Sequence, residues 1–229
     1  MRPKTLDHVA LWVADRDRIA AFCCAHLGMH VIAQEDAFTL VGSDARHGKL
    51  TLFDAEGARE RGALRRVGLR VSDLAAARAR LPEGAGEELD LGEGLRVRLV
   101  EAPTEVEYDL DHCALYASDP EAAAAEYLEL GFGDAEPGEG GVPRVEVGGA
   151  YVELHAAERG ARVGGEPERP LLNHLAVLVD SAQEHIDEAE ERGIVESVVD
   201  AANTIAVFVW GPDRVRVEYV EHKPTFSLV

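Results

Sequence analysis

The chain has 229 residues, 46% of them hydrophobic and 29% charged, and a formal net charge of −20. That is ordinary soluble globular composition, long enough for one large domain or two of usual size with a substantial core. The acidity speaks against a phosphate-binding face, so nucleic acid is not an expected partner, and no apolar run approaches the roughly 20 residues of a membrane span. The charge is uneven: residues 1–104 carry 16 acidic and 15 basic side chains, residues 105–229 carry 27 and 8. The N-terminal residues do not read as a signal peptide. The three cysteines, Cys23, Cys24 and Cys113, lack metal-type spacing. They read as small hydrophobes of a reducing cytoplasm, which is the expected location.

The first predicted strand is Leu6–Val13 and contains Leu6-Asp7-His8. A helix over Arg16–Leu27 follows, with Ile19, Phe22, Cys23 and Leu27 on one stripe, and Gly28 ends it. Strand-like runs come next at His30–Gln34, Ala37–Val41 and Lys49–Phe53. A weaker copy of this β-α-β order starts at Arg66-Val67-Gly68, where Asp73 follows Arg66 by seven residues as Asp15 follows His8. It continues through a short helix, Leu74–Leu81, and a strand, Leu95–Val100.

A third copy opens with Leu110-Asp111-His112. Asp119 and Pro120 read as the cap and first residue of a helix that stops at Gly131, and strands follow at Val142–Val147 and Ala150–His155. The fourth opens with Leu172-Asn173-His174, has a helix at Ala182–Arg192, and closes with a hairpin, Thr204–Trp210 and Arg214–Val220. Residues 131–141 and 158–170 read as loops. Self-similarity at a fixed position in each copy is the mark of a duplicated fold.

Side-chain alternation assigns the faces of these strands. His112, Ala114 and Tyr116 share one face, as do His174, Ala176 and Leu178. Tyr151, Glu153 and His155 lie together, and so do Arg214, Arg216 and Glu218, opposite Val215, Val217 and Tyr219. Neutral imidazole is the commonest metal ligand. Two imidazoles and a carboxylate with open positions suit an Fe(II) oxygenase, and equally a Zn, Mn or Ni Lewis-acid site.

Four modules in this order, with a helix ending Tyr127-Leu128-Glu129-Leu130-Gly131-Phe132 and a last strand ending Val217-Glu218-Tyr219, resemble the vicinal-oxygen-chelate superfamily. That superfamily includes glyoxalase I, extradiol ring-cleaving dioxygenases, fosfomycin-resistance proteins and epimerases. The resemblance implies an α+β fold in which βαβββ modules pair and their sheets curl into a cup around a metal. Pairing consecutive modules predicts two domains, 1–104 and 105–229, with Glu101–Asp109 as linker.

The resemblance then assigns His112, His174 and Glu218 as metal ligands, with Glu153 as a fourth ligand or as an acceptor for a ligand imidazole. The first pair is expected to be metal-free. His8 reads there as a relic or a structural hydrogen-bonder, because Arg66 stands where its partner histidine would be and Thr51 and Arg98 hold the end-strand positions; two arginines would repel a dication.

A metal-free first half and a metal-bearing second half is the layout of two-domain extradiol dioxygenases. That reading takes Fe(II), a catechol-like substrate, and Tyr151 or His155 as proton handlers. Tyr151 and Phe208 replace the histidine and tyrosine usual in that family. The alternatives are a glyoxalase- or epimerase-type lyase or isomerase acting on an α-hydroxycarbonyl through His112, Glu153, His174 and Glu218, and a non-catalytic binder. Phe208, Trp210 and Tyr116 are candidate substrate contacts, and exposed sheet edges leave room for a homo-oligomer.

Overall fold

In the computed structural model, residues 1–57, 59–157, 163 and 170–226 are described. The first module contains β1 (Thr5–Val13), α1 (Arg16–His26), β2 (His30–Gln34), β3 (Phe38–Gly42) and β4 (Lys49–Asp54). The second contains β5 (Leu64–Val71), α2 (Leu74–Ala79), β6 (Glu88–Asp90) and β7 (Arg96–Glu101). The third contains β8 (Asp109–Ala117), α3 (Pro120–Glu129), β9 (Gly133–Asp134), β10 (Arg144–Val147) and β11 (Ala150–Ala156). The fourth contains β12 (Leu172–Leu178), α4 (Ala182–Arg192), β13 (Val195–Asp200), β14 (Thr204–Trp210) and β15 (Arg216–His222). Among the described residues no helix is long and apolar enough to cross a membrane.

One sequence offset explains how every module turns from strand to helix. Seven residues after His8, Arg66, His112 and His174 stand Asp15, Asp73, Asp119 and Ser181. Each caps its helix by accepting the backbone N–H three residues on: Arg18, Ala76, Ala122 and Glu184. The helices then bury a narrow apolar stripe, Ile19, Ala20 and Cys23 on α1 and Ile186 and Ala189 on α4.

The strands form two sheets. One has eight strands in the order β13-β14-β15-β12-β1-β4-β3-β2, the other seven in the order β6-β7-β5-β8-β11-β10-β9. In every module the first strand runs parallel to the last: β1 with β4, β5 with β7, β8 with β11, β12 with β15. Modules join through antiparallel pairs of first strands, β1 with β12 and β5 with β8.

The modules therefore pair first with fourth and second with third. The expected division into 1–104 and 105–229 does not describe these sheets, because each draws one module from either side of that boundary. The physical reason is plain. Alternation dictates which face of a strand is buried, but it does not choose which edge pairs with which. One apolar cluster runs through both units. The buried Tyr219 hydroxyl on the first sheet donates to the Leu130 carbonyl at the end of α3, 2.6 Å away.

Candidate metal centre

The same local device stands at the start of all four modules. The register slips by one residue at Asp7, Arg65, Asp111 and Asn173, each immediately before the repeated position. A bulge leaves that residue out of the pairing and re-aims its side chain. In three modules the freed side chain holds the neighbouring imidazole. His8 Nδ1 lies 2.8 Å from Asp7 Oδ2, His112 Nδ1 2.7 Å from Asp111 Oδ1, and His174 Nδ1 2.9 Å from Asn173 Oδ1. A carboxylate or amide oxygen accepts only, so Nδ1 carries the proton and Nε2 offers its lone pair to the interior of the sheet.

A second register rule completes the site. The residue two beyond the repeated position pairs with one residue of the parallel end strand: Ala10 with Thr51, Gly68 with Arg98, Ala114 with Glu153, Ala176 with Glu218. Each sheet thus gathers four equivalent positions. The first sheet has His8, Thr51, His174 and Glu218; the second has Arg66, Arg98, His112 and Glu153.

In the first sheet three ligand atoms converge. His8 Nε2 and His174 Nε2 are 3.1 Å apart, and Glu218 Oε2 is 3.0 Å from His174 Nε2 and 3.4 Å from His8 Nε2. His174 and Glu218 are 4% and 8% exposed. Both Nδ1 protons are committed, so none is left between the rings, and Glu218 Oε2 is buried with no hydrogen-bond donor in suitable geometry.

Three lone pairs facing one another call for a cation. Ligand bonds of about 2.1 Å span about 3.0 Å at right angles and about 3.4 Å at a tetrahedral angle, which matches the observed separations. The ionisation states fit as well. Burial pushes the His174 imidazole down despite the facing carboxylate. His8, His174 and Glu218 are the residues that would hold a divalent metal ion.

Behind His8 the support is ionic. Buried Asp7 receives Lys49 Nζ at 2.8 Å on both oxygens, and His222 Nε2 lies 3.3 Å away. Burial raises the Asp7 carboxyl, and Lys49, His222 and His8 together bring it well below its ordinary value. Phe208 stands edge-on to His174 with ring centroids 5.2 Å apart, and Phe53 lies at 6.3 Å. A cavity of about 340 Å³ lies among Trp12, Leu172, Asn173, Trp210 and Arg216, on the strands that carry these ligands.

The second sheet holds a guanidinium where the first holds its converging lone pairs. Arg66, 5% exposed, donates from Nε to His112 Nε2 at 3.0 Å and places Nη2 2.9 Å from Glu153 Oε2. Gly68 makes room: a Cβ there would come within 2.3 Å of the His112 ring. His155 Nε2 lies 3.3 Å from the same Glu153 oxygen. Burial would raise the Glu153 carboxyl, but His155, His112 and Arg66 bring it down to about 2.

Several expectations from sequence are corrected here. His112 and Glu153 do not join His174 and Glu218; they belong to the other sheet, with Arg66 between them. Tyr151 and His155 lie on that sheet too, away from the converging ligands, and Tyr116 sits on its central strand β8. Phe208 and Trp210 do lie on the first sheet, opposite Glu218 and Arg216. His8, read as a relic, is brought to the centre. The intact Leu6-Asp7-His8 motif carries the signal for it, but only when the first module is paired with the fourth rather than the second. Asp7 and Asn173 were visible as part of the repeat, but not as the residues that orient the rings.

Residues 5–91 match the family described as the Glyoxalase/Bleomycin resistance protein/Dioxygenase superfamily. The match covers the first module and most of the second. No curated protein sequence matches the chain. Among solved structures it is similar to a "putative dioxygenase" from Bacillus subtilis subsp. subtilis str. 168, with a TM-score of 0.78 and 18% identity over 98% of this chain and 87% of that one. It is also similar to glyoxalase I from Zea mays, with a TM-score of 0.72 and 16% identity over 95% and 92%. The cppA protein from Streptococcus pneumoniae TIGR4 gives 0.64 and 14% over 96% and 100%. At these identities the likeness is one of fold, and it extends over nearly the whole chain.

Proposed function

We propose that this protein is a metal-dependent lyase or isomerase of glyoxalase type, acting on a small α-hydroxycarbonyl compound. The observation that carries the reading is the buried Glu218 Oε2, unpartnered beside two imidazole lone pairs, with no other free acid or base supplied by the expected positions. Lys49 occupies the place in this sheet that Tyr151 occupies in the other, and it is tied to Asp7. Phe53 stands where His155 does. A 1,2-proton shift needs one base on one face of the substrate, whereas ring cleavage needs separate proton donors and acceptors.

A divalent ion held by His8, His174 and Glu218 would supply Lewis-acid polarisation of a substrate carbonyl. With Oε2 holding the ion, the other carboxylate oxygen of Glu218 would take the proton from the hydroxyl-bearing carbon and return it to the neighbouring carbon while the hydroxyl proton passes to the former carbonyl oxygen, so the two groups exchange places with no redox partner. His8 and His174 stay fixed through Asp7 and Asn173. Phe208 and Phe53 keep water from the reacting carbons.

The test is metal analysis of untagged protein, followed by assay against hemithioacetals and α-hydroxyketones with Zn, Ni, Mn and Co. Turnover that is lost in Glu218→Gln supports the reading, and a blank across the panel with metal bound overturns it.

A second reading, an Fe(II) extradiol dioxygenase, is favoured by the ligand count. Two histidines and one carboxylate, with Thr51 rather than a carboxylate at the fourth position, is the ligand set of non-haem Fe(II) oxygenases. Anaerobic loading with Fe(II) followed by catechols and air distinguishes the two, because ring fission gives coloured products.

A further inference from the structure

The second cup carries more positive charge than its own acids neutralise. On its face stand Arg66 from β5 and Arg96 and Arg98 from β7, where they alternate with buried Val97 and Leu99. Arg65 joins them because the register slip beside Arg66 re-aims its side chain, and its Nη1 lies 3.2 Å from His155 Nε2. Burial lowers the Arg66 guanidinium from its ordinary value; Arg65 and Arg98 push the same way, and Glu153 and Glu88 oppose them. With Arg96 on Glu88, four guanidinium groups share one field with two carboxylates.

Those two acids are spent at the base of the cup. Glu153 meets Arg66 at 2.9 Å, and Glu88 is divided between Arg66 and Arg96, 3.4 Å from each. Arg98 is left with little. It stands at the end-strand position that Glu218 holds in the first cup, and its ion-pair partner among the described residues is Glu139 at 3.7 Å. The two side chains are 36% and 88% exposed, so the pair is weak and screened by solvent. Glu139 sits in the loop between β9 and β10, and a Cβ at Gly140 or Gly141 beside it would meet nothing within 4 Å. In a chain of net charge −20 an anion needs such a local surplus of arginine to bind at all.

We propose that the second cup binds a small dicarboxylate, with one carboxylate on Arg98 in the place Glu139 now fills and the other on Arg96 or Arg65. The site lies outward of Arg66, which stays between His112 and Glu153, and it needs no metal. Guanidinium forks match carboxylates two hydrogen bonds at a time. Two negative charges balance the surplus of two, and Glu139 is a tethered, displaceable stand-in for the incoming group. The site is independent of the lyase or isomerase reading, so either can fail alone.

The experiment is calorimetric titration of the whole chain, before and after removal of bound metal, with succinate, neutral succinamide and orthophosphate at low ionic strength. The expected result is one succinate per chain with the same affinity in both forms, weaker orthophosphate and no saturable binding of succinamide. Arg98→Gln should weaken succinate by about tenfold or more, and Arg98→Lys should restore part of the loss. Glu139→Gln should tighten succinate by about threefold or more, because it removes the internal competitor. Glu136→Gln makes the same change of charge in the same loop, away from Arg98, and should have the smaller effect.

No saturable succinate binding to the parent, an affinity that Arg98→Gln leaves unchanged, or orthophosphate binding tighter than succinate overturns the proposal. Equal tightening by Glu139→Gln and Glu136→Gln overturns it too, because the effect would then be one of general charge. Loss of succinate binding on removal of metal would put the anion in the first cup and overturn it as well.

Discussion

The two cups of this protein are built from the same four positions and differ in what neutralises them. In one, His8, His174 and Glu218 leave three lone pairs pointing at each other beside Thr51. In the other, Arg66 replaces one histidine and brings its own cation, satisfying His112 and Glu153 with two hydrogen bonds. A covalently tethered guanidinium and an exchangeable metal ion answer the same electrostatic need. Only the exchangeable one leaves room for a substrate oxygen.

The largest effect expected from this contrast separates two residues that look alike in sequence. His8→Ala should abolish retention of metal through dialysis, because it removes a ligand outright. His112→Ala should leave metal content unchanged. Elemental analysis of both variants decides it, and metal loss in His112→Ala with retention in His8→Ala would invert the assignment of the two cups.

Arg66 offers the next test. Arg66→Ala strips the counter-charge from buried Glu153 and His112 and should lower stability by about 3 kcal/mol in urea unfolding. Arg66→His gives the second cup two histidines and a carboxylate, and should add a second equivalent of bound Co(II) with a visible absorption band. If Arg66→His binds no more metal than the parent, the two cups differ in more than this one residue.

Much of this is legible in the sequence. The duplication, the βαβ order, the helix-capping residues seven positions after each repeat, and the inward faces of His174 and Glu218 all follow from local rules of period and capping. The partner of each module did not. His8 and His112 occupy identical motifs, and nothing within either strand says whether β12 will pair with β1 or with β8. That choice is made by long-range packing, and an error there exchanges one ligand for another while leaving every strand and every face correct. The role of Asp7 also lay beyond reach, because a bulge is needed for two consecutive residues to act together.

A smaller effect probes that bulge. Asp7→Asn keeps an acceptor for His8 Nδ1 but removes the charge that meets Lys49 and polarises the ring. Metal affinity should fall by about tenfold or more, within the 10- to 100-fold range usual for residues that support ligands. Asp111→Asn, its counterpart in the second cup, should leave metal affinity unaltered. Competition with a coloured chelator measures both.

The smallest effect concerns pH and belongs to the second cup. Glu153 in the folded chain is held down to about 2, from an ordinary carboxyl near 4.5. A depressed folded-state value stabilises the protein fully above the unfolded-state value, and that stabilisation is lost as pH falls from about 4.5 toward 2. Glu153→Gln removes the titration, so the gap in stability between parent and variant should narrow steadily as pH falls through that window. Urea unfolding at pH 5, 4 and 3 in the presence of a chelator isolates the second cup, because the first has no metal left to lose. A gap that stays constant across those three values would mean that Arg66 does not hold Glu153 ionised, and the account of a guanidinium standing in for a metal would lose its electrostatic basis.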